Sequence, residues 1–451
     1  MPQVTNWFGD ITSNPAVVVQ ASSVDDIVAV LKNPGQYPSP VRAVGSNHST
    51  SACGVADGGT LIQMSKMNAI VKIASDTVTA QAGAIYIDVA QELDKRGLQF
   101  FVNTEIGNLS VGSAACCGTK DASMPGEFGQ VNSYVTSIKM VLPSGDLLEV
   151  TDAQPDLMQM ARSSYGTFGI VYEATIRVRP IQPMAVHHET FALQDFTAQL
   201  PALMARGESM MYYIFPFDNL ITVEFRRYNP SATGEPNRIA WPLRNYMWAS
   251  AGPLFCAQVE AGVSNKEIRY GIIDNFCALW RFKLENLVSS DNTIATDQII
   301  RYPPVGGDSR YTFSLSAFPE ANYAAVLTDY FAFCKDYYKQ QGYRTNMLNV
   351  GYWIAQDRSS LLSYSYDSGV MTIDPVSTAN PGWPAFLTAY NQFCSTHGGV
   401  PLFNQTDEIT PAQVRQALGD RLKTFAAARQ NYDPKGRLLN AFFREMLSAS
   451  N

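Results

Sequence analysis

The sequence predicts an α+β protein built from two lobes. Within residues 15–44 an apolar strand, a helix and a second strand follow one another, which is the order of a β-α-β unit. After Pro180, which interrupts a strand pattern, alternating strands are joined by a short turn, and this indicates an antiparallel sheet. With 451 residues and 46% hydrophobic composition, the chain is long enough for two hydrophobic cores and two or three domains.

The first lobe is predicted to open on that β-α-β unit. Residues 15–20 read as a strand, and Ser23 is placed to cap a helix over 24–31 because its hydroxyl can accept a hydrogen bond from the first turn. A strand over 41–44 then leads into a loop at its carboxyl end, where ligands of α/β layers usually bind. Two further elements are predicted in this lobe, a strand over 78–83 and a helix over 86–96 that ends at Gly97.

The second lobe is predicted to be an antiparallel sheet backed by helices. Strands over 210–216 and 220–228 flank a turn at 217–219. Further strands over 311–317, 346–354 and 360–366 and a helix between 321 and 341 complete the expected sheet. The aromatic stretch 243–288 could form core helices, a lid, a dimer face or a membrane-surface contact. Charges interrupt its apolar runs, which excludes a transmembrane helix and favours core helices.

The loop after the strand at 41–44 is the strongest functional signal. The chain has only four histidines, and one of them, His48, lies three residues after Gly45. Glycine at that position permits a tight turn or a positive φ. The intervening and following residues, Ser46, Asn47 and Ser49, offer hydroxyls, an amide and backbone N–H groups to an anion. The loop is therefore interpreted as a pyrophosphate-binding segment, and the alternative is a surface histidine in a polar loop.

A second run of small residues, 107–119, allows a flat ligand to approach the backbone closely. Together with His48-Ser49 and the segments 64–68, 128–146, 164–171 and 433–440, this order resembles the FAD-binding module of the vanillyl-alcohol oxidase / p-cresol methylhydroxylase (PCMH) superfamily, and most closely its sugar and aldonolactone oxidase branch. The resemblance covers residues 1–180 and the C-terminus. It implies a PCMH-type FAD-binding domain of two α/β subdomains (1–180), a substrate domain (181–400), and a C-terminal segment that returns to the FAD domain (401–451).

The resemblance implies FAD as the cofactor, joined covalently through an 8α-histidyl bond to His48. Noncovalent FAD, with His48 merely lining the loop, is the alternative. A second, cysteinyl bond is not expected, because the relatives that form one carry the cysteine where this chain has Asn108, whereas Cys116 and Cys117 lie inside the small-residue run as small buried side chains. The expected cofactor contacts are Val44, Gly45, Ser46, Asn47, His48, Ser49, Gly107, Ser110, Gly112, Ala115, Gly118, Thr119, Gly169, Ile170 and Asn440.

The expected catalytic residues are less well defined. In sugar-oxidase relatives an acidic residue and an arginine on one strand and a C-terminal lysine act on the substrate, but here the corresponding segments 346–352 and 401–406 carry no such ions. Asn349, Asn404 and Tyr352 are therefore the candidates, with Tyr352 expected to point away from the face of Asn349 unless a bulge intervenes. Glu224 and Arg226 are weaker candidates, since a solvated, salt-bridged sheet surface explains them better.

The resemblance implies an FAD-dependent oxidoreductase that oxidises an alcohol CH–OH group by hydride transfer to flavin N5, with O2 as acceptor giving H2O2. The absent ions indicate either hydride abstraction with little general-base help or a substrate less polar than a free alditol. The many aromatic residues would suit an aromatic, lipidic or glycosylated alcohol. Three alternatives remain: a flavin dehydrogenase with another acceptor, a flavin-dependent tailoring oxidase of secondary metabolism, and a noncatalytic flavin- or nucleotide-binding protein.

Composition and charge argue against several classes of ligand and partner. A net charge of -7 without a Lys/Arg cluster argues against nucleic acid. Seven cysteines without ligand spacing and four scattered histidines argue against disulfides and a metal site. The N-terminus lacks a basic start and an apolar stretch, so the cytoplasm is the expected location, and the chain is expected to be a monomer or a homodimer.

Overall fold

The strands pair into three main sheets, seen in a computed structural model that describes residues 2–304, 307 and 309–448. The strands are β1 (Val4–Thr5), β2 (Thr12–Ser13), β3 (Val17–Gln20), β4 (Val41–Val44), β5 (Thr60–Gln63), β6 (Ile70–Ile73), β7 (Thr77–Gln81), β8 (Leu98–Phe100), β9 (Val135–Val141), β10 (Leu147–Thr151), β11 (Ile170–Pro180), β12 (Pro183–Ala192), β13 (Ser209–Phe215), β14 (Leu220–Tyr228), β15 (Ser290–Ile294), β16 (Thr312–Phe313), β17 (Ser316–Pro319), β18 (Asn349–Ile354), β19 (Val370–Ile373), β20 (Val376–Ser377) and β21 (Val400–Pro401).

The helices lie mainly on the outside of these sheets. They are α1 (Val24–Lys32), α2 (Tyr86–Asp94), α3 (Val111–Cys116), α4 (Pro155–Ala161), α5 (Leu193–Met204), α6 (Ala240–Tyr246), α7 (Gly252–Gly262), α8 (Lys266–Leu287), α9 (Tyr323–Gln341), α10 (Trp383–Thr396), α11 (Pro411–Leu418), α12 (Asp420–Tyr432) and α13 (Ala441–Ser448). A π-helical turn, Met247–Ala251, joins α6 to α7.

The predicted β-α-β opening is present. β3 and β4 both pair in parallel with β5, giving the strand order β3-β5-β4. Ser23 caps α1 as expected: its hydroxyl accepts a hydrogen bond from the Asp26 N–H, and the Asp26 carboxylate accepts one from the Ser23 N–H, which completes a capping box. The loop that contains His48 therefore leaves the carboxyl end of a parallel strand.

A six-stranded antiparallel sheet completes the first lobe. Its order is β10-β9-β11-β7-β6, and β8 pairs with the far end of β11. The chain then switches sheets within three residues, because β11 ends at Pro180 and β12 begins at Pro183 in an eight-stranded sheet of order β15-β12-β14-β13-β18-β19-β17-β21. This larger antiparallel sheet is the body of the second lobe.

The eight-stranded sheet is buried on both faces. In β13, Met210, Tyr212 and Ile214 pack into a core that includes α5, α9 and α10, while Met211 and Tyr213 on the opposite face pack with α6 and α8. Since side chains alternate along a strand, the register alone decides which face a residue of the neighbouring strands reaches.

Two predicted strands differ from the structure. Residues 311–317 divide into β16 and β17, and residues 360–366 form turns rather than a strand. In these turns the Ser363 hydroxyl accepts a hydrogen bond from the Ser365 N–H, and both hydroxyls accept from the amide of Gln130. Serine side chains thus compete with a strand ladder for the backbone groups. The strand that pairs with β18 is instead β19.

The aromatic stretch 243–288 forms helices, and the inner faces of those helices are core. Trp248 and Trp280 are buried against each other with ring centroids 4.9 Å apart. The outer faces are also apolar, since Ile268, Leu279 and Phe282 are exposed. No helix in the described ranges is long and apolar enough to cross a membrane.

The C-terminal segment packs against the first lobe. The amide of Asn440 donates hydrogen bonds to the carbonyls of Ala52 (2.9 Å), Cys53 (3.3 Å) and Val55 (2.9 Å), and its oxygen accepts one from the Phe443 N–H at 3.0 Å. One buried side chain therefore joins the start of α13 to the loop that follows His48.

Asn440→Ala should lower the free energy of unfolding by about 2–3 kcal/mol, because several buried carbonyls lose their donor at once. Chemical denaturation measures this change. Asn275→Ala is the matched control, because the exposed Asn275 amide bonds only to the carbonyl of Gly271 in its own helix. Equal stability of the two variants would contradict a tethering role for Asn440.

Candidate functional site

A large cavity runs between the two lobes. It encloses about 1490 Å³ of space free of protein atoms, part of it open to solvent. One wall comes from the loop after β4, from the N-terminal end of α3 and from the start of β11. The opposite wall comes from β18, Asp374, Val376 and Asn404. The cavity therefore joins the loop with the strongest sequence signal to the sheet of the second lobe.

His48 lies on this cavity with its ring stacked on Trp7, the centroids being 4.7 Å apart at an interplanar angle of 18°. Burial lowers the pKa of the imidazole to about 3, so the ring is neutral at physiological pH. No side chain or backbone group of the described residues hydrogen-bonds to its ring nitrogens. A neutral imidazole with a free lone pair thus faces the cavity.

The turn before His48 differs from the expected one. The positive φ falls on Asn47, at 55°, while Gly45 is required for a different reason. A Cβ placed on Gly45 would lie 2.5 Å from the Ser110 Cβ, inside van der Waals contact. Gly45 therefore allows the loop and the N-terminal end of α3 to meet, and this contact shapes the cavity.

Most of the expected cofactor contacts line this cavity. They are Val44, Gly45, Ser46, Asn47, His48, Ser49, Ser110, Gly112, Thr119, Gly169 and Ile170. Four others do not line it. Gly107 packs on Ile299 and Ile300, Ala115 is fully buried within α3, Gly118 packs on Leu402, and Asn440 is the tether described above. These four residues therefore contact other parts of the protein and not the cavity.

Arg42 supplies a positive charge at one end of the cavity. Its guanidinium is 4% exposed and donates to the carbonyls of Cys53 (3.1 Å), Tyr165 (2.6 Å), Gly166 (3.2 Å) and Leu438 (3.0 Å). No carboxylate of the described residues pairs with it, and burial lowers its pKa. A buried cation without a counter-ion fits an anionic ligand group in the adjoining space.

Four ionisable groups of the cavity meet at the second-lobe wall: Tyr352 and Asp374 from the second lobe, and Glu105 and Lys120 from the first. The Tyr352 hydroxyl donates a short hydrogen bond to Glu105, and the Lys120 ammonium lies 3.8 Å from the centre of the Tyr352 ring. Lys120 also pairs with Asp374 at 2.9 Å, and Glu105 pairs with Arg244 at 3.0 Å. Burial raises the pKa values of Glu105, Asp374 and Tyr352.

The register corrects the expectation for Asn349. Asn349 lies opposite Ile214, which faces the helix-covered core, whereas Tyr352 lies opposite Met211 on the cavity side. The Asn349 amide donates to the Tyr330 hydroxyl at 3.0 Å, away from the cavity. The expected alternation of Asn349 and Tyr352 is present, but the face assigned to the ligand was the wrong one.

Asn404 does line the cavity. Its side-chain oxygen is buried and has no hydrogen-bond partner in the described part of the protein, while its backbone carbonyl accepts from the Thr50 N–H at 3.0 Å. Because a buried polar atom without a partner is rare, this oxygen fits a donor group of a bound ligand. Asn404 therefore remains a proposed contact.

Glu224 and Arg226 are not on a solvated surface. Both are buried, with Arg226 bonded to Glu224 at 2.6 Å and to both oxygens of Asp121 at 3.0 and 2.8 Å. Burial disfavours the charge on Glu224, but Arg226 and Arg244 overcome it and lower its pKa. The expectation of a solvent-exposed face is wrong because α6 and α8 cover that side of β14.

The cysteines of the cavity are unlinked. All seven are free thiols, and Cys53, Cys116 and Cys117 line the cavity. Cys116 is buried and Cys117 half-buried. No group of three or more His, Cys, Asp or Glu side chains in residues 2–304, 307 and 309–448 is arranged to hold a metal ion.

The sequence did not reveal Glu105, Lys120 or Asp374 as cavity residues. Glu105 and Lys120 flank the small-residue run, which was the one signal that could have drawn attention to them. Asp374 follows β19 and carries no local pattern. The first lobe thus brings a lysine, Lys120, to the cavity, whereas the segment 401–406 carries none.

Comparison with known proteins identifies a matching domain family and several relatives. Residues 15–151 match the FAD binding domain family. The chain is 23% identical over 242 residues to L-gulonolactone oxidase of Mus musculus, covering 53% of this chain and 54% of the relative. It is 20% identical over 449 residues to L-gulono-1,4-lactone dehydrogenase of Mycobacterium tuberculosis, covering 99% of each. The chain spans about half the length of the L-gulonolactone oxidases that it matches.

The fold has a close counterpart among solved structures. Cholesterol oxidase from Brevibacterium sterolicum superposes with a TM-score of 0.77 at 16% identity, covering 99% of this chain and 96% of that one. Residues 15–151 are therefore an FAD-binding domain. These similarities support the resemblance of the chain to the vanillyl-alcohol oxidase / p-cresol methylhydroxylase superfamily and its sugar and aldonolactone oxidase branch.

Gly45→Ala should destabilise the protein by about 1–3 kcal/mol and lower its FAD content, because the new methyl group overlaps Ser110. Thermal unfolding and the flavin-to-protein absorbance ratio measure both effects. Adding Ser110→Gly should restore them, because it removes the atom that the methyl meets. Gly35→Ala, where nothing lies within 4 Å, is the control. Normal flavin content in Gly45→Ala would contradict the assigned loop contact.

Proposed function

We propose that this protein is an FAD-dependent oxidoreductase that oxidises the CH–OH group of a small-molecule alcohol. The observation that carries the proposal is the continuity of the cavity, which joins the His48 loop of an FAD-binding domain to the ionisable wall around Tyr352. Relatives named as lactone oxidases and a lactone dehydrogenase support the same class of reaction.

FAD fits the residues of the first-lobe wall. Arg42 and the backbone of the segments 44–49 and 110–113 would hold its anionic part, and His48 lies beside the space left for its ring system. When bound, FAD supplies a two-electron oxidant that accepts hydride from the substrate carbon.

The second-lobe wall would position the alcohol and manage its proton. The Tyr352 hydroxyl faces the cavity, and Lys120 above its ring stabilises negative charge that develops on the phenolic oxygen. The unpaired oxygen of Asn404 can accept a hydrogen bond from a substrate hydroxyl. Trp248, Tyr311 and Phe313 complete this end of the cavity and exclude water from it.

The character of this wall favours an alcohol with an apolar, ring-bearing body. Three aromatic side chains line it together with Val350 and Val376, while the ionisable groups concentrate around Tyr352. One hydroxyl held at the polar end and an apolar body against the rings would satisfy both regions.

We also propose that FAD is bound covalently through His48. The ring is neutral and has no hydrogen-bond partner in the described chain, so its lone pair is available to form a bond, and the stack on Trp7 restricts its orientation. An electron-withdrawing link of this kind raises the reduction potential of the flavin.

The electron acceptor is proposed to be O2, with H2O2 as the second product. A dehydrogenase that uses another acceptor is the second candidate, because the relative aligned over 99% of both chains is named as a dehydrogenase. The cavity geometry favours neither, since both reactions share the same first half.

Acid precipitation of the protein should leave the yellow chromophore in the pellet, because a histidyl bond survives denaturation. His48→Ala should release any flavin into the supernatant, and His397→Ala, which lies away from the cavity and pairs with Asp329, should not. Absorbance of the two fractions measures this. Release of the flavin from the wild-type protein would overturn the covalent link.

Anaerobic mixing with a panel of alditols, aldonolactones, sterols and phenolic alcohols should bleach the flavin with at least one ring-bearing member. Reoxidation of the bleached enzyme by air within seconds would support an oxidase, and reoxidation over minutes a dehydrogenase. A flavin that no alcohol bleaches would overturn the proposed function and favour a noncatalytic flavoprotein. Bleaching by a ring-bearing metabolite that is coupled or cyclised rather than oxidised to a carbonyl would favour a tailoring oxidase.

A further inference from the structure

We infer that Glu105, acting through the Tyr352 hydroxyl, is the terminal proton acceptor of the alcohol oxidation. The inference rests on the proposed function and adds to it a residue from the first lobe. Glu105 follows β8 and lies before α3, in a segment where no sequence pattern indicates an acid–base group.

The geometry around Glu105 is that of a fixed carboxylate with one face directed at the reaction space. One oxygen forms an ion pair with Arg244 at 3.0 Å without a hydrogen bond, and the other accepts the hydrogen bond from Tyr352. Arg244 is itself fixed, because it donates to the Gln298 carbonyl at 2.6 Å and lies over the Trp241 ring. Both Glu105 and Tyr352 line the cavity.

Tyr352 alone cannot retain the proton of the substrate hydroxyl. Burial and the neighbouring Glu105 raise the pKa of its hydroxyl well above the ordinary value, so a free phenolate is inaccessible near neutral pH. A proton taken from the substrate by the phenolic oxygen must therefore leave along the existing hydrogen bond to Glu105. Lys120, 3.8 Å from the ring centre, lowers the cost of the transient negative charge on Tyr352.

The proton passes from the substrate to Glu105 in two transfers. The substrate O–H bond breaks and its proton joins the Tyr352 oxygen, while the Tyr352 proton moves to the Glu105 carboxylate, which becomes a neutral acid. The carbon–oxygen single bond becomes a carbonyl as the carbon-bound hydrogen leaves with two electrons. The oxidant that receives them is the FAD of the proposed function.

Asp374 is the competing acceptor in the cavity, and the contacts disfavour it. Its nearer oxygen is paired with Lys120 at 2.9 Å, and Tyr352 donates to Glu105 rather than to Asp374. The charged and titratable groups that interact with Glu105 come from several elements: Tyr352, Arg244, Arg226, Asp121, Tyr213, Tyr302 and Tyr311.

The pH dependence follows from this assignment. Glu105 must be ionised to accept a proton, and burial raises its pKa above the ordinary 4.5. The rate of anaerobic flavin bleaching should therefore rise with pH through that raised pKa and level off above it. In Glu105→Gln the same rate should be lower by about 10²-fold or more and flat across this range.

The chain supplies a matched control in Glu127. This glutamate also accepts a hydrogen bond from a tyrosine, Tyr228 at 3.2 Å, and also pairs with an arginine, Arg179, but it lies outside the cavity. Glu127→Gln should leave both the rate and the pH profile unchanged. A flat profile in Asp374→Asn together with a normal one in Glu105→Gln would overturn the inference.

A measurement without turnover tests the coupling directly. Carbon-13 NMR of glutamate side-chain carboxyls, with Glu105→Gln to assign the signal, gives the titration of Glu105 in the resting protein. Tyr352→Phe should move that titration to higher pH, because the carboxylate loses a donor, and Tyr228→Phe should leave it in place. An unchanged Glu105 titration in Tyr352→Phe would overturn the relay.

The two proposals fail in different ways. If no alcohol bleaches the wild-type flavin, the proposed function fails, and the inference fails with it. If an alcohol bleaches the wild-type flavin while Glu105→Gln keeps its rate and its pH profile, the inference alone fails.

Discussion

The buried guanidinium of Arg42 is the contact on which the site depends. It extends from β4 and binds carbonyls of the loop after His48, of residues 165 and 166, and of Leu438 near the C-terminus. Hydrogen bonds to a charged group contribute about 1.5–3 kcal/mol each. Segments far apart in sequence thereby meet around one cation, and the charge that they leave uncompensated faces the cavity. A single residue thus closes the first lobe and makes it attractive to an anionic ligand.

The second lobe contributes a cluster of buried, paired charges. Its eight-stranded sheet is covered by α5, α9 and α10 on one face and faces α6, α8 and the cavity on the other, so charged side chains on the second face are buried. Buried ions are costly unless they are paired, and here Arg226 pairs with both Glu224 and Asp121. Arg244 continues this cluster to Glu105 at the cavity wall. The cluster therefore supports the wall from behind, and Tyr352 lines the cavity in front of it.

Aromatic side chains connect the two lobes at the histidine. Trp7 stacks on His48 and packs edge-on against Tyr302 and Tyr311, whose hydroxyls are 2.6 Å apart. Tyr311 in turn contacts Trp248, which belongs to the π-helical turn between α6 and α7. The N-terminal segment, the stretch before β16 and the turn between α6 and α7 therefore meet at one place. Burial by these rings keeps the imidazole neutral, which links packing to the chemistry proposed for His48.

The sequence by itself determined the local features of the first lobe: the capped helix α1, the parallel strands, the glycine–histidine loop, and most of the small residues that line the cavity. Those features depend on neighbours in the chain, so a local pattern was sufficient to predict them. Only the tertiary structure decided that Tyr352 rather than Asn349 faces the cavity, that Glu224 and Arg226 are buried, and that Glu105 and Lys120 meet Tyr352. The reason is physical: alternation along a strand gives two equivalent faces, and only strand register and the helices packed on each face decide which one meets the ligand.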